Sequence, residues 1–241
     1  MLDLNNVTLL AVSTIDVEET LQALKYSIKD INFKSVKFFS HFNPLHDSDF
    51  YEFIKIQKFK NVEEWGYFIV YELHKYIETD YVLLIHADGF VVNSDSWTKD
   101  FLNYDYIGAP WPVPNDDFTY RDLNGKLIRV GNSVSIRSLK LLKFPSEQQL
   151  PWESTHGFFH EDGFICTKIN NLIEAAGMKF APIDLAIKFS QETPLPEAKG
   201  IKPFVFHKWN GNNKVYPKFG SYNRFNYKYY LKRIKKHVEN I

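Results

Sequence analysis

The stretch Tyr81–Ile85 reads Tyr-Val-Leu-Leu-Ile and runs directly into His86-Ala87-Asp88-Gly89. A short apolar run bounded by polar residues is typical of a strand that is buried on both faces. The polar residues after it then lie at the carboxyl end of that strand, where ligands bind in open α/β sheets. Asp88 could coordinate a divalent cation there, with Gly89 allowing close backbone approach, or the pair could simply form an Asp-Gly turn.

Short apolar runs and helical patterns alternate on both sides of this strand, which indicates an α/β sheet fold. Further strands are predicted at Val7–Val12, Val36–Phe39, Asp105–Ala109, Arg129–Ile136 and Phe204–Phe206. Helices are predicted after Asp16 and at Val62–Ile77, Glu161–Ala176 and Tyr227–Val238. Because no linker or internal repeat interrupts the pattern, we expect one domain over residues 1–223 and a basic helical tail over residues 224–241.

The composition is that of a folded globular protein, with 44% hydrophobic and 24% charged residues. Cys166 is the only cysteine, so no disulfide can form within the chain. The first six residues lack the pattern of a signal peptide, and no apolar run approaches the roughly 20 residues that a membrane span needs. We therefore expect a cytoplasmic protein.

Positive charge is concentrated near the end of the sequence, although the formal net charge is zero. The basic residues there are Lys202, Lys208, Lys214, Lys218, Arg224, Lys228, Lys232, Arg233, Lys235 and Lys236, and the only acid is Glu239. Such a tail could bring the protein to the inner face of an anionic membrane as a peripheral partner, or it could be a solvated helix. A nucleic-acid partner is disfavoured, because the basic residues do not spread over a folded face.

Two further polar clusters could carry chemistry. His207 follows a short aromatic strand and could be a metal ligand together with Asp88, although a single histidine of this kind is more often a core residue. Glu161 and Asp162 open a predicted helix, where acids complement the helix dipole. Alternatively, one of these two carboxylates is a general base that takes a proton from an acceptor hydroxyl, and we favour Asp162.

Gly131 and Asn132 lie within a predicted strand and have small polar neighbours. A glycine there could let a sugar lie close to the backbone, or it could mark a β-bulge. Trp111 could stack on a sugar ring, or it could pack in the core. Other chemistries lack their motifs, since the sequence contains no GxxxxGK[ST], GxSxG, HExxH or CxxC pattern.

Several segments in a fixed order resemble a bacterial and viral family of GT-A-type glycosyltransferases that was long catalogued as a domain of unknown function. They extend over roughly residues 60 to 210 and are Thr79–Val91, Trp97–Phe101, Asp105–Trp111, Val130–Asn132, Ile136–Ser138, Glu161–Asp162, Phe180–Pro182, Phe189–Glu192 and Phe204–His207. The resemblance implies an α/β GT-A-like fold, in which a Rossmann-like nucleotide-binding half is fused to an acceptor-binding half around an open mixed sheet.

The resemblance also implies site residues. It implies that Asp88 and His207 hold a divalent metal ion, Mn²⁺ or Mg²⁺, and that the pair Glu161 and Asp162 contains the catalytic base. The remaining residues it places at the cofactor and sugar are Val12, Ser13, Thr14, His86, Gly131, Asn132 and Trp111.

Three departures from the family pattern lie at this site. His86 stands where many GT-A enzymes carry the first acid of an Asp-x-Asp motif. Residues 131–136 read Gly-Asn-Ser-Val-Ser-Ile instead of Gly-Asn-Gly-Gly-Phe-Ser, and Lys208 replaces a glycine after His207. These departures predict altered sugar or acceptor specificity, or weaker metal binding.

The expected function is therefore transfer of a sugar from a nucleotide sugar, for which UDP-sugars are the usual donors on this fold. The acceptor would be a glycan, a glycolipid such as lipopolysaccharide, or another saccharide, as in polysaccharide biosynthesis. With one candidate base and no second nucleophile, we expect direct displacement with inversion. The alternatives are a non-catalytic module that binds nucleotide sugars or glycans on the same fold, and a membrane-surface interaction protein that uses the basic tail.

Overall fold

The computed structural model describes residues 1–45, 49–155 and 157–219. A six-stranded sheet forms its centre, with the strand order β3-β2-β1-β4-β6-β5. The strands are β1 (Leu2–Val12), β2 (Ile31–Ser40), β3 (Glu52–Lys55), β4 (Tyr81–Ile85), β5 (Tyr106–Pro110) and β6 (Val130–Ser138). Strands β1 to β4 pair in parallel, and β6 runs antiparallel to both of its neighbours. The mixed α/β sheet expected from the sequence is thus confirmed.

The two central parallel strands are mainly apolar where they pair with each other, because both of their faces are covered there. In β1, Leu9 and Leu10 point to opposite faces, and both are fully buried. In β4, Leu83 and Leu84 repeat this arrangement. Since β1 pairs with β4 from Val7↔Tyr81 to Ala11↔Ile85, both strands end at the same edge of the sheet. That edge holds the residues that follow Val12 and those that follow Ile85.

Three of the four predicted helices lie in the described part of the chain and are present, but two of them are irregular. Helix α1 covers Val17–Ser27, and α2 covers Val62–Tyr67 and continues as a π-helix and a 3₁₀-helix to Tyr76. Helix α4 begins at Glu161, continues as a π-helix from Phe164 to Lys168, and is followed by α5 at Asn170–Ala175. π-helical turns of this kind are often found at functional sites.

Four elements had no counterpart among the predicted ones. They are β3, α3 (Leu139–Glu147), α6 (Ile183–Phe189) and β7 (Ser190–Gln191). Helix α3 contains Pro145, which lowers its local helical signal, and its first turn is instead stabilised by the Ser138 hydroxyl, which accepts from the Leu141 amide. Strand β3 is an edge strand of only four residues with a charged residue at each end, so its pairing with β2 depends on the sheet beside it.

A second, two-stranded sheet joins the carboxyl-terminal segments to the first. Strand β7 pairs in parallel with β8 (Val205–Phe206), and both strands are buried. An isolated bridge between Val91 and Val205 links β8 to the segment after β4. This link brings the residues after β8 to the same edge of the main sheet as those after β4. The predicted tail helix over Tyr227–Val238 lies outside the described residues, as does the boundary at residue 223.

Candidate active site

A tight turn after β4 positions Asp88. The His86 amide donates to the Gly89 carbonyl at 2.8 Å, and the Gly89 amide donates back to the His86 carbonyl at 3.2 Å. These two bonds close a four-residue loop that presents Asp88 at the carboxyl end of the strand. The Asp88 side chain is 37% exposed, so it is available to a ligand.

His207 reaches the same place from the distant strand β8. Its Nε2 atom lies 3.6 Å from Oδ1 of Asp88, and its side chain is 11% exposed. A backbone hydrogen bond joins the same two segments, because the Lys208 amide donates to the Asp88 carbonyl at 2.8 Å. Asp88 and His207 are therefore neighbours in one site, as the metal-pair hypothesis requires.

Gly89 is the residue that permits this approach. A Cβ atom at Gly89 would lie 2.6 Å from Cγ2 of Val134, 2.9 Å from Cδ2 of His207 and 2.9 Å from the Phe206 carbonyl oxygen. Real Cβ atoms essentially never come so close, so any side chain here would push β8 away from the turn. The glycine in the Asp-Gly pair thus serves the packing of His207 against Asp88.

Two more charged side chains complete what we call the open cluster: Asp88, Glu192, His207 and Lys208. Glu192 follows β7 and is 11% exposed, and its Oε1 atom lies 3.5 Å from Nδ1 of His207. The Lys208 ammonium donates to the same carboxylate. Asn132 anchors the other oxygen, since its Nδ2 donates to Oε2 of Glu192 at 2.6 Å.

The pKa of Asp88 is held at about 2. Burial acts to raise it, but the hydrogen bond from His207 and the charges of His207 and His86 outweigh that effect. The carboxylate is therefore ionised throughout the neutral range, which is the form that binds a cation.

A second group, the buried cluster, consists of Ser133, Arg137 and Glu161. The Arg137 guanidinium donates to Oε1 of Glu161 at 2.8 Å, and the two side chains are 0% and 3% exposed. The Ser133 hydroxyl donates to the same oxygen at 2.7 Å. Burial acts to raise the pKa of Glu161, but Arg137 and Ser133 outweigh it, so the pKa is lowered and the carboxylate stays charged. Of the two acids expected to be catalytic, Glu161 is thus engaged in a buried ion pair and is not free to act as a base.

His86 joins the buried cluster to the open one. Its Nε2 lies 2.8 Å from the Ser133 hydroxyl oxygen, and its ring centroid lies 5.5 Å from that of His207. Because the Ser133 proton is committed to the Glu161 carboxylate, the His86 Nε2 must be the donor to Ser133. Burial, followed by the nearby His207, lowers the pKa of His86 to about 4, so the ring is neutral at pH 7. A neutral imidazole therefore takes the place of a carboxylate at this position.

Asp162 differs from its neighbour Glu161 in both environment and charge. It is half-buried, and Oδ1 accepts from the Gly163 amide at 2.8 Å. Burial, followed by the negative charge of Glu161, raises its pKa to about 7. The charges of Asp162 and Asp88 both act on the Lys208 ammonium. A carboxyl group with a pKa near the working pH is suited to accept a proton from a hydroxyl group.

The residues expected to contact the sugar are arranged differently from the prediction. A Cβ atom at Gly131 would lie 2.1 Å from the Trp111 ring, so Trp111, not a ligand, covers the glycine. Trp111 is itself buried and stacks on Tyr120 with ring centroids 4.6 Å apart. The idea that Gly131 leaves room for a sugar against the backbone is therefore wrong. Asn132 (φ 83°) is buried and serves instead to hold Glu192.

The end of β1 lies beside this site. Val12 accepts from the Trp65 indole at 2.9 Å, and the Trp65 ring centroid lies 5.4 Å from that of His86. The Ser13 amide donates to the Phe39 carbonyl, and the Thr14 hydroxyl accepts from the Phe59 amide. The residues predicted to contact a nucleotide are thus brought next to the β4 turn by the pairing of β1 with β4.

Sequence reasoning assigned no role to Glu192, Tyr120, Ser133 or Arg137. Glu192 carried a usable signal, because it is a polar residue placed directly after a short buried strand. Arg137 carried none, since an arginine on a strand is ordinarily exposed, whereas here the side chain is fully buried and also lies over the Tyr106 ring.

The donor set suits a divalent ion that shares its coordination with a ligand. Asp88 offers a carboxylate oxygen and His207 an imidazole nitrogen, and these two atoms lie 3.6 Å apart. The other ring nitrogen of His207 is buried beside the Glu192 carboxylate. Metal-binding histidines commonly have such a carboxylate behind them. Over the part of the chain that the structure describes, no three His, Cys, Asp or Glu side chains are arranged to hold a metal ion. Two protein ligands would leave positions for phosphate oxygens and water.

Comparison with known proteins agrees with the resemblance found in the sequence. Residues 47–207, more than half of the chain, match the family described as "Protein of unknown function (DUF5672)". The chain belongs to this family. No curated protein matches its sequence significantly.

Solved structures show the fold of this DUF5672 protein. The galactosyltransferase LgtC in complex with donor and acceptor sugar analogues is 14% identical, with a TM-score of 0.51 over 86% of this chain and 87% of that one. An active-site mutant of LgtC is 10% identical, with a TM-score of 0.53 over 94% and 95% of the two chains. The fold is therefore that of the GT-A glycosyltransferases. None of the described helices is long and apolar enough to cross a membrane.

Proposed function

We propose that this protein is a glycosyltransferase that moves a sugar from a nucleotide-sugar donor to a saccharide acceptor. The observation that carries the proposal is the pairing of Asp88 with His207 at the carboxyl edge of the sheet, where the charges of both Asp88 and Asp162 act on the neighbouring Lys208. A GT-A fold that carries a candidate cation-binding pair and a carboxyl group with a pKa of about 7 suits sugar transfer.

Asp88 and His207 would hold a divalent metal ion, Mn²⁺ or Mg²⁺. When bound, such an ion offsets the negative charge that develops on the departing diphosphate. Glu192, beside Nδ1 of His207, would orient the imidazole ring toward this role. The nucleotide would lie against the end of β1 at Val12–Thr14, next to His86, with UDP the usual nucleotide on this fold.

Asp162 would act as the general base. Its carboxylate takes the proton of an acceptor hydroxyl while that oxygen attacks the anomeric carbon of the donor sugar. The bond between this carbon and the diphosphate oxygen breaks, and the electron pair leaves with the diphosphate. A single displacement of this kind inverts the anomeric configuration. The buried cluster fixes the helix start from which Asp162 projects, because Glu161 is held by Arg137 and Ser133.

The Asp162→Asn variant tests the enzyme proposal. It should reduce kcat by about 10²- to 10⁴-fold, the usual contribution of a general base, while the Kd of the donor stays within about twofold. Asp184→Asn, an exposed carboxylate in the first turn of α6, is the matched control and should leave both constants unchanged.

The configuration of the product, measured by NMR, gives an independent result. Retention would remove Asp162 from its role as base. Donor binding without any transfer by the wild-type protein, over a panel of glycan and glycolipid acceptors, would identify a non-catalytic module that binds nucleotide sugars.

The basic residues after Lys202 lead us to propose peripheral contact with an anionic membrane. Each basic residue near such a surface contributes about 1 kcal/mol, so several together would suffice for reversible attachment. Removing residues 224–241 should abolish sedimentation with anionic liposomes and leave transfer to a soluble acceptor intact. Unchanged sedimentation would show that the tail is not an anchor.

A further inference from the structure

Lys208 has an unusual backbone conformation for its residue type. Its φ angle is 60°, in the left-handed region that favours glycine. Its amide donates to the Asp88 carbonyl at 2.8 Å, so this conformation is part of the contact between β8 and the β4 turn. A glycine would adopt it without strain, yet a lysine is present, directly beside the proposed metal pair.

Among the described residues, the Lys208 side chain is bound through its terminal ammonium. It donates to Glu192, while the lysine side chain as a whole is 53% exposed and the glutamate only 11%. Glu192 is fixed independently by Asn132. The ammonium can therefore leave the carboxylate by rotation of its four-carbon stem, whereas the carboxylate itself cannot follow it.

Three carboxylates act on this ammonium. Glu192 is its direct partner, and the charges of Asp88 and Asp162 also act on it. A lysine ammonium is positively charged at neutral pH, and its direct carboxylate partner favours that charged form. The chain thus places one permanent cation at the position where the diphosphate of a donor would meet Asp88 and His207.

We propose that Lys208 is a resident cation for the donor diphosphate, with Glu192 as the site that holds it while no donor is bound. On binding, the ammonium moves from Glu192 to a phosphate oxygen, with which lysine forms a strong charge-assisted hydrogen bond. Nucleoside diphosphates should therefore bind even without a divalent metal ion. This inference rests on the proposed function, because it takes the ligand of the open cluster to be a nucleotide diphosphate.

Titration calorimetry with nucleoside diphosphates tests the proposal. The tightest binder among UDP, GDP and dTDP in manganese is chosen as probe, and its Kd is then measured in manganese and in excess EDTA. Wild-type protein should bind it in both. The Lys208→Met variant should bind at least 10-fold more weakly in EDTA and at most about threefold more weakly in manganese.

Two further variants keep this test independent of folding effects. Lys208→Gly suits the backbone angle, so it should fold at least as well as the wild type and lose the same binding in EDTA. Lys25→Met, which removes an exposed lysine from the last turn of α1, is the matched control and should change neither Kd.

The Glu192→Gln variant gives a prediction of opposite sign. Without the competing carboxylate the ammonium is free, so binding in EDTA should tighten by about 3- to 10-fold. In the Lys208→Met background the same change should have less than a twofold effect, which separates release of Lys208 from a general loss of negative charge.

Four outcomes would contradict the inference or its basis. Equal affinity of wild type and both Lys208 variants in EDTA, or an equal effect of Glu192→Gln in both backgrounds, would overturn it. Binding by wild type in manganese alone would also overturn it and leave the proposed function standing. No binding of any nucleoside diphosphate under either condition would overturn the proposed function itself.

Discussion

The open cluster and the buried cluster pair a cationic side chain with a glutamate in two very different surroundings. Arg137 and Glu161 are 0% and 3% exposed, and Glu161 also accepts from Ser133. Lys208 is 53% exposed, and its partner Glu192 is 11% exposed. A buried pair resists separation because each charge would be left without water, whereas an exposed ammonium can change partners at little cost. One pair therefore holds the site in shape, and the other is free to respond to a ligand.

The largest effect should come from breaking the buried cluster. Arg137→Met leaves the Glu161 carboxylate buried without its partner, which typically costs about 3–5 kcal/mol of folding free energy. Urea unfolding would measure the loss. Lys126→Met, which breaks an exposed pair with Glu174, is the control and should cost at most about 1 kcal/mol. A loss below about 1 kcal/mol for Arg137→Met would mean that the two clusters do not differ in the way described.

A smaller effect should come from forcing the two sides of the open cluster apart. In Gly89→Ala the new Cβ would overlap Val134, His207 and the Phe206 carbonyl. Overpacking of this kind typically costs about 1–3 kcal/mol, and the shift of β8 should also weaken nucleotide binding in manganese. Gly125→Ala is the comparison. The φ angle of Gly125 is 80°, which disfavours any side chain, but no atom lies within 4 Å of the new Cβ. It should lose some stability and no nucleotide binding.

The smallest effect concerns Asp162, which lies next to the buried cluster without belonging to it. Its pKa is about 7 in the folded protein and 3.8 ordinarily, so its contribution to stability is full below about pH 4 and is lost as the pH rises through 7. Asp162→Asn should therefore match the wild type at acidic pH and exceed it at pH 8. Allowing for solvent contact, we expect a difference on the order of 1–2 kcal/mol.

Thermal unfolding of the two proteins at pH 4, 6 and 8 would measure this difference. A constant gap between their stabilities across that range would mean that the Asp162 carboxyl group titrates as an ordinary acid. In the wild-type enzyme kcat/KM should rise with pH through about 7, because the base must be deprotonated to act.

The parts of the fold that could be predicted are those whose signal is local. The run Tyr81–Ile85 forms β4 with the same bounds, because an apolar segment of that length between polar residues has few alternatives to a buried strand. Strand β3 and helix α3 could not be predicted, since the first has only four residues, two of them charged, and the second contains Pro145. Their structure depends on partners that lie elsewhere in the chain.

The sequence by itself determined the α/β class, the position of Asp88 at the end of a buried strand, and the presence of an acidic pair at a helix start. Only the tertiary structure decided how those acids divide their roles, because the pKa of each depends on which side chains pack beside it. Arg137 pairs with Glu161, whereas no cation among the described residues forms a salt bridge with Asp162, and neither arrangement has a signature in residue spacing. The same holds for Lys208 and Glu192, which meet because two short strands pair, so their contact depends on the folded sheet and not on their separation along the chain.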